Sequence, residues 1–521
     1  MLSESNNLPD DAQSLKQIIF SQQQQIDYLQ EMVRLLKNEL FGRKSEALPA
    51  VDPNQLQLFN PDQPAEPLQS DDDIVVPEHT RKKRGRKPLP EDLPRVEVLH
   101  DIPEAEKQCA CGAQLSRIGE ETCEKLDYIP AKIQVIRHIR PKYACKACEG
   151  VEDDGPTVKM APPPVQLIPK SNATEGLLAH IAISKFADAL PLHRQQKIFD
   201  RLGLDISKST MANWMIQAAG CGQPIIELLQ QEIRSGPMVN IDESPFQVLK
   251  EPGRSDTAKS YMWVFCGGPL DAPAVLYQYH PTRSGKVVHD MLGGYLGYVQ
   301  SDGYSGYEQL SQKQGIIHLG CLTHARRKFV EVNKGRKARG KEKAAKGLAD
   351  EALDYIGALY GIERYARDKN LSHEQIRELR QEKAKPLLEQ FKTWLDTYHP
   401  QVPPKSLLGK AIQYTLNQWD KLVIYIEAGF LKPDNNLAEN AIRPFVIGRK
   451  NWLFSGAPRG ADASAIFFSL IETAKANGLE PYAYLRYLFA KLPFAKTVED
   501  YQALLPKSLD KDTLSGFPFP S

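Results

Sequence analysis

Met238-Val239-Asn240-Ile241-Asp242-Glu243-Ser244-Pro245-Phe246 is an apolar, β-branched strand pattern with a carboxylate in its interior. A second short strand, Gly297 to Ser301, delivers Asp302 at its C-terminal end, and Glu439 follows much later on a helix that opens at Asp434-Asn435. Taken singly, each acid has a bland reading. Asp302 before Gly303 fits a turn, and Glu439 can pair with Arg443 one helical turn on, a contact of about 0.3–0.5 kcal/mol. Taken together, an acid on a strand, one at a strand end and one on a helix form a set of hard oxygen ligands suited to Mg²⁺ or Mn²⁺. Two such ions about 4 Å apart would clamp the attacking and leaving oxygens of a phosphodiester. Glu243 points to the opposite sheet face if the strand is regular, which leaves it outside that site.

The words around the three acids are Asp242-Glu243-Ser244-Pro245, Ser301-Asp302-Gly303-Tyr304, His324-Ala325-Arg326-Arg327-Lys328-Phe329, Asp434-Asn435-Asn436-Leu437-Ala438-Glu439-Asn440-Ala441-Ile442-Arg443-Pro444 and Gly448-Arg449-Lys450-Asn451-Trp452. With these words the chain resembles the transposase of bacterial insertion-sequence family 66, from the N-terminal coil to about Tyr487. The resemblance implies that Asp242, Asp302 and Glu439 are a catalytic, metal-holding acidic triad in a ribonuclease-H-like core. It also implies that DNA is the substrate and that companion proteins of the same element take part.

At 521 residues the chain is too long for one core. A net charge of +1 excludes a uniformly basic binder, so affinity for nucleic acid must come from local clusters. No stretch is apolar enough to span a bilayer, and the start lacks a basic segment followed by an apolar one, so an unexported, cytoplasmic protein without membrane contact is expected, and the resemblance implies that it is bacterial and nucleoid-associated. Eight cysteines in such a setting point to metal rather than disulfides.

Along the chain, Leu15, Ile19, Ile26, Leu29, Val33, Leu36 and Leu40 recur at alternating steps of four and three. That pattern predicts a coiled coil, with a second copy of the chain as the simplest partner. A Pro-, Gln- and Asp-rich tether follows, too poor in apolar residues to fold. It ends in Arg81-Lys82-Lys83-Arg84-Gly85-Arg86-Lys87-Pro88. Arg84, Arg86 and Lys87 suit phosphates or a narrow minor groove; the competing reading is a non-specific basic tail.

Cys109, Cys111, Cys145 and Cys148 are two thiol pairs that satisfy one structural Zn²⁺. The one-residue spacer of the first pair is unusual and leaves Cys123 or His138 as substitutes, and Lys132 to Arg140 between the pairs reads as a strand. Helices capped at Thr174, Pro191 and Ser207 or Ser209, with a turn at Gly203, suggest a helix-turn-helix. Lys208, Thr210, Asn213 and Gln217 would form the face that reaches base edges.

His324, Arg326 and Arg327 stand at a helix start, where cations oppose the macrodipole unless an anion such as a phosphate is bound. Arg443, Arg449 and Lys450 are further DNA-ligand candidates, the last two on a basic loop after Pro444.

The expected architecture is a multidomain α+β chain. It has a coiled coil at 13–45, a disordered linker with the basic segment at 46–90, a zinc-binding module at 95–160 and a helix-turn-helix DNA-binding region at 170–222. A ribonuclease-H-like α/β catalytic core at 235–332 and 431–492 is split by a helical insertion at 333–430, and a C-terminal tail at 493–521 completes it. The expected activity is that of a DNA transposase cutting and joining element ends at terminal repeats and target DNA. The alternatives are a nuclease or resolvase of the same fold without strand transfer, or a DNA-binding regulator whose catalytic domain is only a scaffold.

Overall fold

The structure is a computed structural model that describes residues 133–144, 158–312, 315–334 and 347–517, with scattered positions between 11 and 26. The chain divides into two units, Met1–Arg43 with Arg140–Ser521, and Lys44–Ile139. Arg84, Arg86, Lys87 and the cysteines at 109, 111, 123, 145 and 148 lie outside the described residues, as does most of the expected coiled-coil seam. The seam positions that are described, Leu15 and Ile26, are helical, and Ile26 is 46% exposed.

Residues 133–140 carry no strand, in contrast to the expectation, and His138 is exposed. An apolar alternation forms a ladder only beside a partner, and pairing starts two residues later: β1 (Lys142–Ala144) runs antiparallel to β2 (Val158–Met160).

The centre of the larger unit is one mixed sheet. Three strands form an antiparallel meander: β3 (Met238–Val248), β4 (Lys259–Gly267) and β5 (Ala274–His280). On the other side of β3 lie β6 (Gly297–Gln300) and β7 (Ile316–Leu319), both parallel, so the order is β5-β4-β3-β6-β7. A two-residue strand, Phe454–Ser455, extends β3 in parallel at its far end. The apolar, β-branched character of β3 and β4 follows from burial on both faces, where Ile241, Val264 and Phe265 are inaccessible.

Before the sheet come four helices: α1 (Glu175–Phe186), α2 (Leu192–Arg201), α3 (Lys208–Cys221) and α4 (Gln223–Ser235). Thr174 and Ser207 cap α1 and α3 by accepting from Leu177 N and Thr210 N, as their residue types predict. Gly203 adopts φ +78° in the turn between α2 and α3. This region is not an independent module. Leu178, Phe186, Met211 and Trp214 belong to the same hydrophobic core as Val264 and Phe265 of the sheet, and Phe186 stacks on Phe467 with ring centres 4.9 Å apart.

After β5 the short helix α5 (Gly285–Met291) leads to β6, and α6 (Leu322–Lys334) leaves β7. The insertion forms α7 (Leu348–Asp368), α8 (His373–Leu379), α9 (Lys385–Tyr398) and α10 (Leu407–Asn417) around a second core. Leu322, Ala325 and Phe329 of α6 pack in that core with Phe391, Trp394 and Leu395, so α6 joins sheet to insertion.

The chain then returns through α11 (Asn436–Trp452) and α12 (Pro458–Ala476), and α13 (Pro481–Lys491) follows. Helix α11 continues straight through Pro444, where a break was expected, and takes in Arg449 and Lys450. Burial of Ile442 and Phe445 on its sheet-facing side outweighs the missing hydrogen bond. Residues 493–517 are packed rather than trailing, because Leu504, Leu505 and Leu514 bury in the main core and Tyr484 Oη donates to Leu504 O at 3.2 Å. Among the described residues no helix is long and apolar enough to cross a membrane.

Arg380 locks the insertion. Its side chain is inaccessible, pairs in bidentate fashion with Glu363 at 2.7 and 2.8 Å, and donates to the carbonyls of Tyr425, Ala428 and Leu431. Arg380→Leu leaves a half-buried carboxylate and three carbonyls without their donor, so chemical denaturation is expected to show a loss of about 3–5 kcal/mol. A change below about 1 kcal/mol would place the stability of the insertion elsewhere.

Candidate active site

The three acids are brought together by three amides. Asn240 Nδ2 donates to Gln300 Oε1 and to Asn435 Oδ1, both at 2.9 Å. Gln300 Nε2 donates to the carbonyls of Gly320 and Lys432, and Asn435 Nδ2 donates to Ile241 O. All three are buried, at 4%, 0% and 1% exposure. Asn240 lies two residues before Asp242 on β3, Gln300 two before Asp302 on β6, and Asn435 opens the helix that carries Glu439. Because Asn240 pairs with Gln300 across the parallel ladder, Asp242, inside β3, and Asp302, just past the end of β6, each lie two residues beyond the same paired position. Asn435 stands at the N-cap position but makes no side-chain cap bond, because its amide is used in this network.

The turn before Glu439 is stitched to the start of α6. Leu322 N donates to Pro433 O at 2.8 Å, and Asn435 N donates to Cys321 Sγ at 3.3 Å. The N-termini of α6 and α11 therefore meet, and their positive ends favour negative charge there. The α11 face of the sheet is also the Asp242 face, since Phe246, two pleats along, packs edge-to-face on Phe445.

Asp242 registers the cluster electrostatically. Burial first, then the charges of Glu243, Glu439 and Asp302, push its carboxyl up to about 8, against a hydrogen bond from Glu243 N. The other two acids each have a basic neighbour. Asp302 Oδ2 leans to Arg283 at 3.9 Å. Glu439 turns Oε1 toward His324 Nδ1 and Oε2 toward Arg327, each at 3.7 Å.

Glu243 points to the other face, as strand alternation requires, with its side chain 2% exposed. Arg283 and Tyr307 both donate to it. The Arg283 guanidinium lies 3.6 Å from the Tyr304 ring centre, so Glu243 holds the arginine that flanks Asp302. Arg283, Asp302, Tyr304, His324, Arg327 and Lys328 line a cleft of about 310 Å³. Burial pushes the His324 imidazole below its usual range, against the pull of Glu439.

Other sequence-predicted residues fall at different places. Arg326, Arg443 and Lys450 are exposed. Arg449 Nη1 donates to Ser244 Oγ and Pro245 O and so ties α11 to β3. On α3, Lys208, Asn213 and Gln217 are exposed and Thr210 is half-buried. Sequence reasoning missed the pairing roles of Asn240 and Gln300, and missed Arg283 and Cys321. The amides carried a signal, since each interrupts an apolar strand two residues before a candidate ligand; Arg283 carried none, because its place depends on a contact across the sheet.

A model of the IS66 transposase family matches residues 170–463, more than half of the chain. The chain belongs to the IS66 family of transposases. Three further models match other parts of the chain in the same layout. One described as "Transposase C of IS166 homeodomain" covers 28–98, the zinc-finger binding domain of IS66 transposases covers 106–149 and the IS66 C-terminal element covers 469–506. The zinc-finger match spans all four cysteines expected as ligands. Among curated relatives, the uncharacterized protein y4jD of Sinorhizobium fredii (strain NBRC 101917 / NGR234) is 34% identical over 520 residues, covering 96% of each chain. The uncharacterized protein y4hP of the same strain is 30% identical over 498 residues, covering 91% of this chain and 88% of the relative.

The raised Asp242 carboxyl predicts a pH effect on stability. Between the ordinary aspartate value near 4 and about 8, the folded state holds a proton that the unfolded state has lost, so metal-free stability falls as pH rises through this window and levels above it. Asp242→Asn removes that slope. Thermal melts at pH 5 to 8 in chelator check this, and parallel curves for the two proteins would show that Asp242 is not strained by its neighbours.

Proposed function

We propose that this IS66-family protein is a metal-dependent DNA transposase. Its catalytic residues are Asp242, Asp302 and Glu439, and its chemistry is cleavage at element ends followed by joining of the freed 3′-hydroxyl to target DNA. The observation that carries the reading is the register Asn240↔Gln300, which supports a carboxylate inside β3 and one just past the end of β6, side by side and near a third on α11. Three antiparallel strands followed by two parallel ones in the order β5-β4-β3-β6-β7 support a ribonuclease-H-like core.

The acids fit Mg²⁺ or Mn²⁺. They are hard oxygen donors, and the burial and acidic neighbours that lift the Asp242 carboxyl disfavour a bare carboxylate that a divalent cation would stabilise. Two ions held by Asp242, Asp302 and Glu439 would supply Lewis-acid stabilisation of the charge that develops on a phosphodiester. Around them the chain's own residues bind and orient DNA. Arg283 is fixed by Glu243 and Tyr304 at the cleft wall, so it meets a phosphate with little ordering cost. His324, Arg327 and Lys328 border the same cleft, at the N-terminal end of α6. Arg326, Arg443 and Lys450 add exposed charge for the backbone, and Arg449 acts by holding α11 on β3.

The zinc-finger match supports one structural Zn²⁺ on Cys109, Cys111, Cys145 and Cys148. The exposed, helical Ile26 supports self-association through 13–45. The exposed α3 residues Lys208 and Asn213 and the basic Arg84, Arg86 and Lys87 are proposed contacts to terminal repeats.

Alanine at Asp242, Asp302 or Glu439 is expected to lower Mg²⁺-dependent cleavage of labelled element ends by about 10²–10³-fold or more, with DNA binding retained. Glu243→Gln frees Arg283 and should give a smaller loss carried mainly by KM. Pre-cut ends separate a transposase from a nuclease of the same fold, because only the former joins them to a target. Cleavage that survives in Glu439→Ala would sink the triad assignment.

A further inference from the structure

One grouping near this site has a different chemistry. Cys321 Sγ lies 3.9 Å and His324 Nδ1 3.7 Å from Glu439 Oε1. Among the described residues it is the cluster of His, Cys, Asp and Glu whose ligand atoms all lie within 4.8 Å of one another. These separations are close to the roughly 3.4 Å edge of a tetrahedron around Zn²⁺ with bonds of about 2.0–2.3 Å, so small side-chain shifts would complete it. His324 Nδ1 is buried, makes no hydrogen bond and lies beside the Glu439 carboxylate. The thiol is fixed from behind by the Asn435 N–H.

We propose that Cys321, His324 and Glu439 form a binding site for a thiophilic divalent cation, Zn²⁺ or Co²⁺, which captures Glu439 and thereby inhibits the Mg²⁺-dependent reaction. The proposal rests on the catalytic reading only for its inhibitory consequence; the site itself stands on the three ligands.

Thiolate and imidazole select zinc-like ions and are poor ligands for Mg²⁺. On binding, the Cys321 thiol gives its proton to solvent, and the two positive charges of the ion are balanced by thiolate and carboxylate. Arg327, 3.7 Å from Glu439 Oε2, then does not repel the complex. Three protein ligands leave a fourth position for water. Entry is from the cleft, which His324 lines and where both His324 and Glu439 remain 23% exposed.

Cobalt reports the site directly through thiolate-to-metal absorption. Full-length protein, zinc-loaded and then stripped of weakly held metal with a mild chelator, is titrated with Co²⁺ beside Cys321→Ser and His324→Gln. Wild type is expected to take up one more Co²⁺ per chain than Cys321→Ser, with a thiolate band the variant lacks. Loss of the imidazole in His324→Gln should weaken that uptake by more than about 100-fold. Circular dichroism establishes that each variant is folded, and His324→Gln carries the test if the serine variant is not.

In end cleavage with Mg²⁺ held constant, added Zn²⁺ should inhibit wild type at concentrations at least about tenfold lower than Cys321→Ser, since losing a ligand costs no less than losing an outer-shell partner. Equal Co²⁺ uptake and equal spectra would overturn the site, and equal zinc sensitivity would overturn the inhibition. Wild type that shows no Mg²⁺-dependent cleavage refutes the catalytic reading instead, while the cobalt difference still decides the metal site.

Discussion

The buried contact between Asn240, Gln300 and Asn435 is the constraint from which the site follows. An amide without a partner in a dry interior costs about 1–3 kcal/mol, so three of them can share the space under the sheet end only in the arrangement that satisfies all. That arrangement fixes β6 against β3 in one register and sets the start of α11 over both. The carboxylates two or four residues further on are then carried to one place without touching each other.

The same network reaches beyond the sheet. Gln300 also holds the carbonyls of Gly320 and Lys432, the two points where the chain leaves for the insertion and returns from it. A long insertion can therefore be built between the second and third acids without disturbing either, because its ends are clamped together and its own core closes around Phe391, Trp394 and Leu395. Helix α6 belongs to both bodies: its apolar side packs in the insertion core, while His324, Arg327 and Lys328 border the cleft.

Charge is distributed with similar economy. Acids that repel one another are each given a basic neighbour on a separate element: Arg283 beside Asp302, and His324 with Arg327 beside Glu439. Asp242 alone is left to its burial and its acidic neighbours, and its carboxyl rises accordingly.

Local chemistry made much of this legible in the sequence. The meander from 238 to 280, the caps at Thr174 and Ser207, and the carriage of Asp242, Asp302 and Glu439 on strand, strand end and helix all follow from alternation, cap preference and turn residues, which act over a few positions. The alternation that turns Glu243 away from Asp242 was equally readable. What depended on distant partners was not. Pro444 reads as a helix end until Ile442 and Phe445 are seen buried, Asn435 reads as a cap until Asn240 claims its amide, and the segment after 493 reads as a tail until Leu504, Leu505 and Leu514 find the core. Arg449, a plausible DNA ligand by its neighbours, proves to be joined to β3, and Cys321 acquires a role only beside Glu439, more than a hundred positions away. Propensity and period are encoded residue by residue, whereas burial and long-range pairing exist only once the sheet has closed.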